Sequence, residues 1–268
     1  MVQSANAANI YVVTAPDGIT ARTFVDCEIE NHSDRCQLDT GSAFPLISGP
    51  LDYLKSNSVT GHQDAMSAQN VKASCEDLAL TSKVKVTGQV LPLSEIKRCQ
   101  GFPMELSPSV GVKVFDGFRI NMDFPHRQFN WNTTLQPNVL SSFKRSGIGW
   151  ISMNALLGTS RIEVFFDTGA QLSAVDEKYV SAHPEKFKLV TSTDVTDATG
   201  TKTKQNVYEM EVLTMLGRAF SNNYAVAIDF SYFHNFFPQD VVILLGMNHI
   251  QQASWFLDFQ NSKWGFLN

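Results

Sequence analysis

Two aspartates stand in the same short setting: Leu38-Asp39-Thr40-Gly41-Ser42 and, 128 positions later, Phe166-Asp167-Thr168-Gly169-Ala170. A lone aspartate of this kind is commonly a turn residue or helix cap. Average residue usage gives a chain of this size one chance Asp-Thr-Gly on the order of one time in twenty, and two in matched surroundings far more rarely. If a pseudo-twofold axis brings the two turns together, their carboxylates become neighbours. Like charges in contact cannot both ionise easily, so one keeps its proton while the other is charged. Such a pair can act as general acid and general base on one bound water. Gly41 and Gly169 let the turns approach closely, and the Thr40 and Thr168 hydroxyls can tie each turn to the backbone of the other. Ser42 is expected to donate to Asp39, whereas Ala170 offers Asp167 no such bond. That asymmetry predicts the charge on Asp39 and the proton on Asp167.

The repeat extends beyond these residues. Ile47 and Val175 each follow their aspartate by eight positions. Phe102-Pro103 precedes Gly111 as Phe237-Pro238 precedes Gly246, and Asp123-Phe124 and Asp258-Phe259 follow those glycines at equal distance. Two duplicated β lobes are expected, 1–133 and 150–268, joined by a linker at 134–149, with the aspartates at their interface. The positioning elements read as strands at Ile10–Thr14, Thr23–Glu30, Lys83–Val90, Trp150–Leu156, Ile162–Phe166 and Val207–Thr214. Gly158-Thr159-Ser160 reads as a hairpin turn that delivers its second strand into Asp167. Short helices are expected at Leu51–Ser56 and Asp176–His183. The fold class is all-β.

Composition narrows the function. A formal charge of −5 without a dense basic run gives no electrostatic reason to expect nucleic acid or an anionic membrane. The longest apolar runs fall far short of a bilayer span, so a soluble protein is expected. The six histidines, His32, His62, His126, His183, His234 and His249, show no ligand spacing, and neither metal nor cofactor is expected. Cys27, Cys36, Cys75 and Cys99 all fall in the first half of the chain. Three pairings are open. A hairpin turning at Asn31–Asp34 favours Cys27 with Cys36, leaving Cys75 with Cys99 and implying an oxidising compartment, periplasmic or extracellular; free buried thiols are the alternative. Ala5-Asn6-Ala7 has the small-x-small form of a signal-peptidase site, and Asn31-His32-Ser33 and Asn132-Thr133-Thr134 match the glycosylation acceptor pattern.

On its two Asp-Thr-Gly motifs, together with Leu244-Leu245-Gly246 and the weaker Ser109-Val110-Gly111, the chain resembles the pepsin-like and retropepsin-like aspartic peptidases over nearly its whole length. The resemblance implies a bilobal acid-protease fold in a compact, bacterial-type monomer. It implies Asp39 and Asp167 as catalytic pair, and Thr40, Gly41, Ser42, Thr168 and Gly169 as loop support. The substrate would be a peptide or unfolded protein. It further implies a flap over the cleft, with candidates Ser67, Ala68 and Gln69 in the first half and Thr199 and Gly200 in the second. Phe230, Tyr232, Phe233, Phe236 and Phe237 fit either apolar pockets or core. A second reading keeps the cleft as an idle peptide- or protein-binding module, in line with the degraded first glycine signature.

Overall fold

The computed structural model describes residues 7–66, 72–100, 108–196 and 202–267. The fold is all-β: the described strands join into one continuous hydrogen-bonded network with few helical turns. Its two halves repeat one another strand for strand. In the first, the hairpin Ala21–Ile29 with His32–Asp39 leads into the first aspartate. In the second, Ile151–Leu157 with Ser160–Phe166 leads into the other. Each aspartate strand pairs in parallel with a glycine-ended strand: Leu38 lies beside Val110 and Asp39 beside Gly111, and Phe166 lies beside Leu245. Leu46–Ser48 and Ser173–Asp176 then cross back antiparallel against those glycine-ended strands. Each half also carries a long hairpin, Val59–Met66 with Lys72–Ala79 and Phe187–Thr196 with Lys202–Met210.

A six-stranded antiparallel sheet joins the halves, in the order Ala8–Thr14, Gln128–Trp131, Arg119–Asp123, Ser254–Asp258, Lys263–Leu267 and Ser141–Arg145. Asn121 stands opposite Phe256, and Arg119 and Asp123 opposite Asp258 and Ser254. Asn121 and Phe256 differ by the same 135 positions that separate Gly111 from Gly246, and the residues 135 positions after Arg119 and Asp123, Ser254 and Asp258, stand opposite Asp123 and Arg119, so the pairing is its own image under a local twofold axis. Buried aromatics, Phe115, Phe129, Trp131, Trp255, Phe259 and Trp264 among them, pack beneath this sheet. Burial of each such side chain stabilises by about 1.5–3 kcal/mol.

Several sequence expectations are corrected here. The first hairpin turns at Glu30-Asn31, both at positive φ (50° and 61°), rather than at Asn31–Asp34. Paired left-handed residues make the turn twist with the strands. Lys83–Val90 is a small hairpin, Val84–Val86 with Gln89–Leu91, because Thr87-Gly88 forms the same kind of turn. Val207–Thr214 likewise divides, between Lys202–Met210 and Leu213–Met215. The helix expected at Leu51–Ser56 is one 3₁₀ turn, Asp52–Leu54; the second is an α-helix, Glu177–Ala182, capped by Asp176 accepting the Lys178 N–H. Inside 134–149, expected as linker, Ser141–Arg145 forms an edge strand of the joining sheet. No helix among the described residues is long and apolar enough to cross a membrane.

Candidate active site

The two aspartate strands end side by side, and the threonine after each aspartate locks the two loops together. Thr40 N–H donates to Thr168 Oγ1 and Thr168 N–H donates to Thr40 Oγ1, each at 3.0 Å. Thr40 Oγ1 also donates to the Phe166 carbonyl at 2.9 Å, and both threonines are fully buried. A buried hydroxyl must find partners or cost a few kcal/mol. Here the partner of each is the other half's main chain, so the cross-link fixes the separation of the loops.

The carboxyl groups of Asp39 and Asp167 meet above this cross-link and share a hydrogen bond. Each aspartate is half-buried: open to solvent on one side, ringed by protein on the others. Gly41 N–H and Gly169 N–H donate to Asp167 Oδ1 at 3.1 and 2.8 Å, and the Ala170 N–H faces the same carboxyl. Asp39 is faced by the N–H groups of Gly41 and Ser42. Burial raises both carboxyls. Asp39, with the Asp167 charge beside it, goes to about 8. Asp167 is pushed up to about 6, held lower by its three main-chain donors. At neutral pH the pair therefore holds one proton, on Asp39.

This reverses the expected asymmetry. The Ser42 hydroxyl lies 3.4 Å from both the N and the O of Phe44 and has no bond to Asp39. Main-chain donors outnumber what a single hydroxyl would have supplied, and they favour Asp167.

The glycines are required by space. A Cβ on Gly41 would stand 2.5 Å from the Asp167 carboxyl, and one on Gly169 would stand 2.2 Å from Asp39 Oδ1. The glycines that end the paired strands are equally confined. A Cβ on Gly111 would fall 1.8 Å from the Phe44 carbonyl oxygen, and one on Gly246 would fall 2.6 Å from the Leu172 carbonyl carbon. Those contacts give the second repeated motif its physical reason: its glycine lies against the aspartate loop.

Of the other candidates, Cys27 is bonded to Cys36 and Cys75 to Cys99, with no free cysteine. Cys36 stands two pairs along from Cys27's direct partner Asp34, whereas Cys75 and Cys99 are directly opposed. The flap candidates Ser67, Ala68, Gln69, Thr199 and Gly200 lie outside the described residues, as does Phe102-Pro103. In the aromatic stretch, Phe230, Phe233 and Phe237 are buried; Phe233 and Phe237 pack with Trp150 and Phe165, and Phe230 packs on Phe233, which is the core reading. Among the described residues no group of three or more His, Cys, Asp or Glu side chains could hold a metal ion.

Sequence reasoning missed Ser173, Asn248 and His249, buried behind the Asp167 loop. The signal that could have found them is a break in the repeat. Ser173 stands where the first half has Pro45, and Asn248-His249 where it has Lys113-Val114. No protein-family model matches this chain, and no curated protein does.

Proposed function

We propose that the chain is an aspartic endopeptidase, hydrolysing peptide bonds with a water held between Asp39 and Asp167. The observation that carries this reading is the pair of carboxyls hydrogen-bonded to one another over reciprocal threonine bonds. Asp167, the charged member, takes a proton from the water as its oxygen attacks the scissile carbonyl carbon. Asp39 gives its proton to the carbonyl oxygen, so a tetrahedral diol forms with no net charge left on substrate. Asp167 then passes its proton to the amide nitrogen, the C–N bond breaks, and one diol hydroxyl returns its proton to Asp39. The carboxyls leave as they began, with a new carboxyl and a new amine as products.

Both members of the pair belong to one chain, so the working unit is a monomer and the substrate an extended peptide or unfolded protein. Two disulfides are compatible with an oxidising compartment, and we place the protein in the periplasm or outside the cell. The test is to incubate it with an unfolded polypeptide mixture from pH 3 to 8, with and without a pepstatin-type inhibitor. New amino termini that the inhibitor suppresses are expected. Asp39→Asn and Asp167→Asn should each lower turnover by about 10²-fold or more while remaining folded. Full turnover in either variant would sink the mechanism. Binding of the unfolded chain without cleavage would instead favour an idle cleft.

A further inference from the structure

Behind the second aspartate loop lies a polar cluster that the first loop lacks. Six residues after Asp39, the Pro45 carbonyl accepts the Gly111 N–H at 3.0 Å. Six residues after Asp167 the acceptor is a side chain: Gly246 N–H donates to Ser173 Oγ at 2.8 Å. Ser173 Oγ also lies 2.9 Å from Asn248 Oδ1 and 2.7 Å from His249 Nδ1, and the Ser173 N–H donates to Asn248 Oδ1 at 2.8 Å. Ser173, Asn248 and His249 have no accessible surface.

The surrounding bonds fix where the protons are. Asn248 Nδ2 donates to the carbonyls of Asn222 and Tyr224 at 3.1 and 3.0 Å, so its Oδ1 is an acceptor. Asn223 Nδ2 donates to the Phe220 carbonyl at 2.9 Å while its Oδ1 accepts the Leu213 N–H at 3.3 Å. His249 Nε2, 3.3 Å from that same Oδ1, therefore carries a hydrogen. Burial holds His249 far below its ordinary range, at about 3, and its neighbours Ser173, Asn223 and the Phe220 ring carry no charge. The imidazole is thus neutral and its Nδ1 bare. The Ser173 hydroxyl directs its one hydrogen between the two acceptors it faces, His249 Nδ1 and Asn248 Oδ1, which leaves an oxygen lone pair aimed at Gly246 N–H.

That lone pair bears on the dyad through the chain around Gly246. The Leu245 carbonyl accepts Asp167 N–H at 3.0 Å, and Met247 N–H donates to the Ala170 carbonyl at 2.8 Å. Ala170 and Gly169 in turn direct their N–H groups at the Asp167 carboxyl. We propose that Ser173 and His249 are positioning residues for Asp167: the neutral imidazole orients the serine hydroxyl, and the hydroxyl pins the strand that holds the loop. This rests on the peptidase reading above. The titratable group facing Asp167 is Asp39, which keeps its proton while Asp167 ionises; burial opposes the Asp167 charge and the main-chain donors offset it, so a loosened loop weakens those donors and leaves the burial in place. The charged form of Asp167 then becomes harder to reach.

The experiment measures kcat and KM against pH on one peptide for wild type, Ser173→Val, Ser173→Thr, His249→Phe and His249→Asn, with thermal unfolding of each. ¹⁵N-histidine NMR of wild type is recorded alongside. Ser173→Val is expected to lower kcat at least about tenfold with KM unchanged and to move the acid limb toward neutral pH. Ser173→Thr, which keeps the hydroxyl, should restore both. His249→Asn, which keeps an acceptor oxygen near the Nδ1 position, should retain more activity than His249→Phe, and that pair serves if Ser173→Val does not fold. The NMR spectrum should show a neutral ring with hydrogen on Nε2. A folded Ser173→Val with wild-type kcat and an unmoved acid limb would overturn the proposal, as would hydrogen on Nδ1. A wild type that cleaves nothing overturns the peptidase reading and this role together, so the two failures are distinguishable.

Discussion

Ser42 follows the first Asp-Thr-Gly directly, yet its hydroxyl faces the Phe44 main chain and only its N–H reaches the carboxyl. Replacing it with alanine keeps that N–H, so Ser42→Ala should leave the acid limb of kcat/KM within about 0.3 pH unit of wild type. The profile itself should be a bell with limbs near pH 6 and 8, following the two raised carboxyls. Below the lower limb Asp167 is protonated and no base remains; above the upper one Asp39 is ionised and no acid remains. The check is a pH series on one substrate for both proteins, and an acid limb displaced in Ser42→Ala would restore the hydroxyl to the site. At this scale the aspartates, threonines and glycines were legible because each must be that residue type for a stated reason. The direction of charge was not, because main-chain N–H groups leave no trace in residue identity. Ser173 and His249 were hidden differently, as ordinary residues whose meaning appears only when the second half is laid over the first.

The hairpins show the same division between what sequence carries and what it conceals. Strands at Ile10–Thr14, Thr23–Glu30 and Ile162–Phe166 were legible from their β-branched and aromatic residues, which alternate between core and surface in the second and are buried throughout in the third. Phe187–Thr196 was not, because after Phe187 the strand is almost wholly solvent-facing and carries no apolar period. The turns at Thr87-Gly88 and Leu216-Gly217 were missed too, since threonine and leucine seldom take positive φ (49° and 48° here). Among these elements the first long hairpin has a distinctive fastening. Cys75–Cys99 joins its second strand to Glu95–Cys99 and packs with Ile47, Ala65, Ala73 and Phe44, a small cluster apart from the main core. The bond closes 24 residues against 9 for Cys27–Cys36. Chain entropy then assigns it about 3.4 kcal/mol of stability against about 2.6 for the other. Cys75→Ala/Cys99→Ala should therefore unfold at lower denaturant than wild type, and at or below Cys27→Ala/Cys36→Ala. Equal midpoints for wild type and the first double variant would refute this ranking.

For the molecule as a whole, the dyad is a standing cost. Asp39 is raised from about 3.8 to about 8, so the folded state binds a proton that the unfolded chain releases as pH climbs above 3.8. Stability from that group is fully present below 3.8, declines as pH rises, and is gone above about 8. Asparagine at 39 keeps a hydrogen for Asp167 and never ionises. Asp39→Asn should therefore be more stable than wild type by up to about 4 kcal/mol at pH 7 and by little near pH 4. Thermal unfolding at both pH values checks this, and equal melting temperatures at pH 7 would show that Asp39 is not held protonated by the fold.

The joining sheet has a consequence for how the halves find each other. Under the axis through Asn121 and Phe256, Arg119–Asp123 is geometrically matched to its counterpart Ser254–Asp258 and equally to a second copy of itself. Charge does not select the observed pairing. The observed pairing sets Arg119 against Asp258 once, whereas two first halves would set Arg119 against Asp123 twice. What selects the mixed pairing is the covalent tether. It holds each half beside its counterpart at a high effective concentration that no free half can match at ordinary dilution. Fusion thus supplies recognition that the edge itself does not encode, and it permits the two loops to diverge until only one has a histidine behind it.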